Sequence, residues 1–183
     1  MRSTGFEQSL HDGACHLWHW RPAAFEGRLR ERALSFLSPE ELARHSRYLV
    51  PQPGRTFLAA RVFLRSVLSI YHPLPPRSWQ FETNPWGRPR VTNLGPRNRF
   101  DFNLSHKPGQ VTCLVGYGRD LGVDVEDAAA NRPYLFDIAD RFFSSSEAAG
   151  LRALPPPNQL ERFYELWTLK ESYIKARGIG LSL

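Results

Sequence analysis

The pattern of apolar and polar residues along the chain predicts short strands mixed with longer helices. Alternating residues predict a strand at 15–20, and apolar residues spaced three or four apart predict a helix at 55–70. Ser38, followed by Pro39, supplies the start of another helix, and Ser144 with Glu147 has the pattern of a capping box. The remaining predicted elements are strands at 79–82, 89–91, 100–105 and 111–117, and helices at 135–142 and 159–177.

Residues 121–126 alternate between apolar and acidic positions, which predicts a strand with one polar face. Asp124 and Glu126 then point the same way, roughly 6–7 Å apart along the strand. Glu171, on the helix predicted at 159–177, brings a third carboxylate to that face. Three converging carboxylates repel unless a cation neutralises them, and oxygen ligands suit Mg²⁺. The alternative, two acidic residues on the wet face of an edge strand, stays open at this point.

The order of elements favours an α+β fold, because helices and hairpin-like strands do not alternate regularly. The chain has 183 residues, of which 42% are hydrophobic and 23% charged, so it suits one globular domain or two small lobes. A boundary is expected between residues 116 and 122. No apolar stretch long enough to cross a membrane and no signal peptide is recognised, so a cytoplasmic protein is expected.

The chain is basic, with a net charge of +6 and a pI near 9.7. Only three of its 24 cationic residues are lysines, and the other 21 are arginines. Such a surface attracts nucleic acid, phosphorylated cofactors, acidic proteins or anionic membranes, and arginine favours forked recognition of phosphate. Charge alone does not choose between these partners, and a role in solubility remains an alternative.

Two short segments carry further polar candidates. Ser105 and His106 are adjacent in a predicted strand, so their side chains point to opposite faces and do not form a nucleophile pair. A strand end with a hydroxyl and an imidazole could instead bind a phosphate. Residues 85–89 predict a turn that presents Trp86 and Arg88, although a simple hairpin turn explains them equally well.

Taken in order, five segments resemble the 4′-phosphopantetheinyl transferase superfamily, particularly its surfactin-synthetase-activator type. The resemblance covers the chain from about residue 36 onwards. The segments are Trp-Gly-Arg-Pro at 86–89, Phe-Asn-Leu-Ser-His at 102–106, Gly-Val-Asp-Val-Glu at 122–126, Arg-Phe-Phe-Ser with Glu147 at 141–147, and residues 167–181 beginning Trp-Thr-Leu-Lys-Glu.

The resemblance implies two similar α+β lobes related by a pseudo-twofold axis, with coenzyme A in the cleft between them. The N-terminal lobe is expected at residues 1–117 and the C-terminal lobe at 118–183. The chain stops at Leu183, where relatives continue with further strands. We therefore expect the second lobe to be incomplete at its C-terminus.

The resemblance also implies a reaction: transfer of the 4′-phosphopantetheine arm of coenzyme A to a serine of an apo carrier protein, releasing adenosine 3′,5′-bisphosphate. The expected partners are coenzyme A and the carrier, not nucleic acid or a membrane, and the protein is expected to be a monomer. A metal-dependent nucleotide phosphohydrolase is the enzymatic alternative. A nucleic-acid-binding domain ranks third, because it leaves the placement of the carboxylates unexplained.

The site residues follow from the same resemblance. Mg²⁺ is expected on Asp124, Glu126 and Glu171. Glu171, or a water held by these carboxylates, is expected to accept the serine proton, and Lys175 to stabilise the leaving phosphate. The expected contacts to coenzyme A are Arg44, Arg55, Ser105 and His106 at the 3′-phosphate, and Gly87, Arg88 and Pro89 at the adenine. Glu41 departs from the family pattern, since many relatives carry a basic residue there.

Overall fold

The computed structural model describes residues 10, 13–23, 25–95, 98–128 and 133–179. None of the helices in these ranges is both long and apolar enough to cross a membrane. The strands are β1 (Cys15–Trp20), β2 (Phe81–Thr83), β3 (Pro89–Val91), β4 (Phe100–Lys107) and β5 (Gln110–Tyr117). The helices are α1 (Gly27–Leu34), α2 (Pro39–Ser46), α3 (Pro51–Tyr71), α4 (Leu135–Phe142), α5 (Ser145–Ala153) and α6 (Pro156–Arg177), with a 3₁₀ turn at Pro76–Ser78.

Strands β1, β5 and β4 form an antiparallel sheet in that order. The tight turn between β4 and β5 contains Gly109, whose φ of +79° lies in the left-handed region that glycine adopts readily. Strands β2 and β3 form a separate hairpin, with Thr83 opposite Pro89. The loop of this hairpin contains Trp86 and Gly87. Asn103 and Ser105 lie on β4.

Helix α3 packs against the sheet and forms the main core. Leu64 and Leu68 from the helix meet Phe102 from β4 and Val115 from β5. The helix predicted at 55–70 is confirmed, and it begins at Pro51. The earlier start has a simple cause, since a proline in the first turn removes no intrahelical hydrogen bond.

The ends of the other helices are also determined by the residues next to them in the sequence. The capping box predicted at Ser144 with Glu147 is present. Ser38, predicted as the start of a helix, also forms a capping box, with Glu41. Helix α6 ends at Gly178, which has a φ of +65°. The prediction missed α1, because this short helix is mainly charged and buries only Ala33.

The strand predicted at residues 121–126 is wrong, because this described segment is extended but is not assigned to either sheet. Leu121 and Val123 are buried, as their alternation predicted. The Val123 amide donates to the side-chain oxygen of Asn103 at 2.9 Å. Alternation therefore identified the buried face correctly, but it cannot show whether a neighbouring strand exists.

The C-terminal part is helical in the range that the structure describes. Helices α4, α5 and α6 pack around Phe163, with Ala139, Phe143 and Leu151 buried against it. The predicted α+β class is confirmed. A pseudo-twofold relation between two lobes is not seen in the described ranges, where both sheets lie before residue 118. The division into lobes at residues 117 and 118 stays a prediction.

Gly122 controls how closely residues 121–126 approach helix α6. A Cβ at this position would overlap the Ser172 carbonyl oxygen and lie 2.6 Å from the Ala176 amide nitrogen. Since both are backbone atoms of one helix, neither can move without displacing α6. We expect Gly122→Ala to lower the free energy of unfolding by about 2–3 kcal/mol, measured by urea denaturation.

Gly150→Ala is the matched control, because a Cβ there meets no atom within 4 Å and the residue lies in helix α5. The control should raise the free energy of unfolding by about 0.5–1 kcal/mol through helix propensity. Equal stability of the two variants would contradict the tight packing of Gly122 on α6.

Candidate active site

Lys175, Asp124 and Ser105 form a hydrogen-bonded cluster between three parts of the chain. The Lys175 ammonium donates to Asp124 Oδ1 at 2.6 Å and to Ser105 Oγ at 3.0 Å. Ser105 Oγ in turn donates to the same Asp124 oxygen at 2.9 Å. The Asp124 side chain is only 7% exposed, so this ion pair is shielded from water on the carboxylate side.

Asparagine and serine on β4 hold the extended segment in place. Asn103 and Ser105 are two residues apart, so both project from the same face of the strand. Asn103 binds the backbone of residue 123, and Ser105 binds the side chain of Asp124. The position of Asp124 is therefore determined by the sheet on one side and by α6 on the other.

The three predicted carboxylates lie close enough to influence one another. The pKa of Glu171 is raised, first by burial and then by the negative charge of Asp124, with a smaller contribution from Glu126. Lys175 partly opposes this effect. Glu126 accepts a hydrogen bond from the Trp167 indole at 3.2 Å, one helical turn before Glu171. The structure thus brings the predicted carboxylates together around α6.

The three carboxylates are chemically suited to bind a divalent cation, but they are not already arranged around a metal position. Asp124 Oδ2 is buried and has no hydrogen-bond partner among the described residues, so it is available to a ligand. Carboxylate oxygens are the donors that Mg²⁺ prefers. Within the described ranges, however, no three His, Cys, Asp or Glu side chains are already arranged to hold a metal ion. Metal binding therefore stays a prediction.

A cleft of about 290 Å³ lies beside this cluster. The loop of the β2–β3 hairpin, with Trp86, Gly87 and Pro89, lines one side. Helix α6 lines the other side with Glu171 and Lys175. The predicted catalytic pair and the predicted adenine loop therefore face the same cleft.

Arg88 belongs to the same loop, but its guanidinium is bound within the protein. It forms an ion pair with Asp101 at 2.5 Å and donates to the Ala176 carbonyl near the end of α6. Asn84 Oδ1 accepts from the Arg88 amide at 2.9 Å and from the Trp86 amide at 3.0 Å, which shapes the turn. In this structure, Arg88 connects the hairpin loop to α6.

Cationic side chains surround His106. Although the imidazole reaches the surface, protein atoms desolvate it and lower its pKa, and the positive charges of Arg61, Lys175 and Arg44 lower it further. The Arg44 and Arg61 guanidinium groups lie 5.1 and 5.4 Å from the centre of the Phe57 ring. This arrangement can bind an anion, because the imidazole and the two arginines are donors gathered on one side of α3.

The sequence prediction included Arg44 but missed Arg61. The sequence could have indicated Arg61, because Phe57, Arg61 and Arg65 are spaced four residues apart and so lie on one face of the helix. Part of the reason for the omission is Glu41. Its carboxylate pairs with Arg65 at 2.8 Å and with Arg61 at 3.6 Å. Glu41 therefore stabilises two arginines and does not face the anion position as a free charge.

Arg55 lies away from this group. It is six residues before Arg61 on the same helix, which places the two side chains about 120° apart around the axis. The structure puts Arg55 at a different cavity, together with Lys107 and Gly109. The predicted contact of Arg55 with the same phosphate as His106 stays a prediction.

Glu171 offers a direct test of this electrostatic arrangement. Because Asp124 raises the pKa of Glu171, Asp124→Asn should lower that pKa, and the freed Lys175 would act in the same direction. Carbon-13 NMR titration of the Glu171 carboxyl in chelator-treated buffer measures the change. Glu165→Gln, an exposed change on the same helix, should leave the pKa of Glu171 where it is. An unchanged or higher pKa in Asp124→Asn would refute the proximity of the two carboxylates.

Two family models match consecutive parts of this chain. The model described as 4′-phosphopantetheinyl transferase, N-terminal, matches residues 18–118. The model described as the 4′-phosphopantetheinyl transferase superfamily matches residues 120–183. The two matches together include the sheet, the cleft and helix α6.

Named relatives agree with these models. The chain is 35% identical to the 4′-phosphopantetheinyl transferase HetI of Nostoc sp., over 91% of this chain and 70% of the relative. It is 35% identical to the transferase Sfp of Bacillus subtilis, over 84% and 65%. It is 29% identical to the rat L-aminoadipate-semialdehyde dehydrogenase-phosphopantetheinyl transferase, over 88% and 54%. The chain thus spans between 54% and 70% of the length of these relatives.

Proposed function

Because the chain belongs to the 4′-phosphopantetheinyl transferase superfamily, we propose that its cleft binds coenzyme A and transfers the phosphopantetheine arm to a carrier-protein serine. Membership confirms the family and the enzyme class that the five sequence segments predicted. One observation carries the proposal for this chain: Lys175, which is paired with Asp124, and Glu171 line the cleft beside the hairpin loop.

The reaction is a displacement at phosphorus. The carrier serine oxygen attacks the phosphorus that bears the pantetheine arm, and the bond from that phosphorus to the bridging oxygen of the pyrophosphate breaks. The electron pair leaves on adenosine 3′,5′-bisphosphate, and the serine loses its proton. Positioning and charge neutralisation dominate catalysis of such transfers.

Glu171 suits the role of proton acceptor. Its raised pKa makes the carboxylate a stronger base than an ordinary glutamate. Its position on the cleft wall allows contact with a serine that enters from outside. Glu171 would therefore take the proton of the carrier serine as the new ester bond forms.

Lys175 would stabilise the negative charge that develops on the departing phosphate. Asp124 and Ser105 hold the ammonium at the cleft, which limits the reorganisation needed when charge appears. Asp124, Glu126 and Glu171 would hold Mg²⁺, and Asp124 Oδ2, which has no hydrogen-bond partner among the described residues, would be one of the ligands. When bound, that ion neutralises pyrophosphate charge.

The remaining contacts to coenzyme A are proposed from the positions of the cationic residues and of the hairpin loop. The cationic group of Arg44, Arg61 and His106 lies towards Lys175, so it would bind a phosphate of coenzyme A. Gly87 and Pro89 would line the adenine end of the cleft, where Arg88 supports the loop. A carrier protein with an acidic surface would complement the net charge of +6.

Neutralising a carboxylate tests the proposed roles. Asp124→Asn and Glu171→Gln should each reduce the rate of transfer at least about 100-fold, since each removes a charge needed near the phosphorus. The assay is mass spectrometry of an apo carrier protein incubated with coenzyme A, Mg²⁺ and the variant. Glu165→Gln, on the exposed face of α6, should retain the rate of the unmodified protein. Near-normal transfer by Asp124→Asn or Glu171→Gln would overturn the assignment.

The nucleotide phosphohydrolase alternative receives no support from the family models or from the relatives' names. It predicts release of phosphopantetheine from coenzyme A when no carrier is present. The transferase proposal predicts no such release under the same conditions.

A further inference from the structure

Asp101 on strand β4 is a carboxylate that the proposed mechanism does not use. Its side chain is 25% exposed and forms an ion pair at 2.5 Å with Arg88, whose side chain is 17% exposed. Arg88 lines the cleft, whereas Asp101 is not among the described residues of the cleft wall. Asp101 therefore influences the cleft through Arg88, and not by contact with a molecule bound there.

The Arg88 guanidinium lies between strand β4 and the end of helix α6. Its Nη2 atom donates to Asp101, and its Nη1 atom donates to the carbonyl oxygen of Ala176. Ala176 is one of the last four residues of the helix, whose carbonyl groups lack intrahelical partners and carry the negative end of the helix dipole. A guanidinium is a favourable partner at this position, and the carboxylate on β4 directs it there.

Asp101 and Arg88 depend on each other because both are largely buried. Burial raises the pKa of Asp101, the positive charge of Arg88 opposes this rise, and the charge of Asp120 adds to it. Removal of the carboxylate would leave a partly buried guanidinium without its counter-charge, which destabilises a protein more than loss of an exposed ion pair does. The pair therefore restricts Arg88 to the direction of helix α6.

Asp101 belongs to a row of three polar side chains on one face of β4. Asn103 and Ser105 follow it at alternate positions, and alternate residues of a strand project from the same face. Asn103 accepts a hydrogen bond from the Val123 amide, and Ser105 donates one to Asp124. One face of the strand thus holds the hairpin loop at its first position and the extended segment at the next two.

A second contact between the hairpin and the helix end supports the same geometry. The side-chain amide of Asn84 donates to the Gly178 carbonyl at 2.8 Å, and its side-chain oxygen accepts from the Arg88 amide at 2.9 Å. Because Lys175 directly precedes Ala176, the Arg88 contact lies one residue from the lysine of the cleft. The hairpin loop is therefore joined to the part of α6 that carries this lysine.

We propose that Asp101 is a positioning residue for the transfer reaction, holding Arg88 against helix α6 so that Lys175 faces the hairpin loop across the cleft. The role in transfer rests on the proposed function, whereas the contacts themselves do not. Coenzyme A would touch both walls of the cleft, so a fixed spacing between the walls reduces the entropy lost when the cofactor binds. Asp101 itself touches neither the cofactor nor the carrier.

Calorimetric titration of coenzyme A into Asp101→Asn tests this role. The amide removes the charge but little volume, so Arg88 is less restricted, and the Kd for coenzyme A should rise about tenfold at an unchanged stoichiometry. A purely structural role would instead lower the fraction of protein that binds and leave the Kd unchanged. Asp140→Asn, which breaks an exposed aspartate–arginine pair on helix α4, should match the unmodified protein.

Arg88→Gln supplies a double-mutant cycle, because the proposed role of Asp101 requires Arg88. In the Arg88→Gln background, Asp101→Asn should weaken coenzyme A binding no further. Additive effects would show that Asp101 acts by another route and would overturn the proposal. Tighter binding of coenzyme A by the single variant Asp101→Asn would also overturn it, since Asp101 would then be withholding Arg88 from the cofactor.

Hydrogen exchange at the end of α6 tests the contacts without any cofactor. The Gly178 amide, which donates to the Ile174 carbonyl at 3.0 Å, should exchange at least about fivefold faster in Asp101→Asn than in the unmodified protein. Equal exchange rates would contradict the role of Asp101 in holding the helix end. Faster exchange, together with an unmodified protein that modifies no carrier, would refute the proposed function and leave these contacts standing.

Discussion

The contact between Lys175 and Asp124 is the interaction on which the geometry of the cleft depends. It joins helix α6 to the extended segment at residues 121–126, and Ser105 joins both to the sheet. The segment reaches the helix only because Gly122 has no side chain to keep the two backbones apart. Arg88 joins the hairpin loop to the end of α6, so the two contacts together set the positions of Glu171 and the loop around the cleft.

The same contact explains why the site can act on a charged group. One Asp124 oxygen binds the Lys175 ammonium, and the other has no hydrogen-bond partner in the described part of the chain. Lys175 can therefore bind an anion while Asp124 binds a cation. Burial raises the pKa of Glu171, and the negative charge of Asp124 raises it further. On the other side, Arg44 and Arg61 gather around His106. A pyrophosphate with a bound cation matches this distribution of charge.

Sequence reasoning predicted the features whose chemistry is local. The helix start at Ser38, the capping box at Ser144 and the helix end at residue 177 are confirmed, because each depends on residues a few positions apart. The strand at 121–126 was wrong, since pairing depends on a neighbour that alternation cannot reveal. Arg61 was missed for a similar reason, because which face of α3 meets β4 is a tertiary property.

The central claim is that Asp124 binds a cation while Lys175 faces the phosphates of coenzyme A, so the two ligands should assist each other. Calorimetric titration of coenzyme A with and without Mg²⁺ measures this coupling directly. The account predicts that Mg²⁺ tightens coenzyme A binding about tenfold or more, and that Asp124→Asn abolishes the difference. Coenzyme A affinity that is indifferent to Mg²⁺ in the unmodified protein would contradict it.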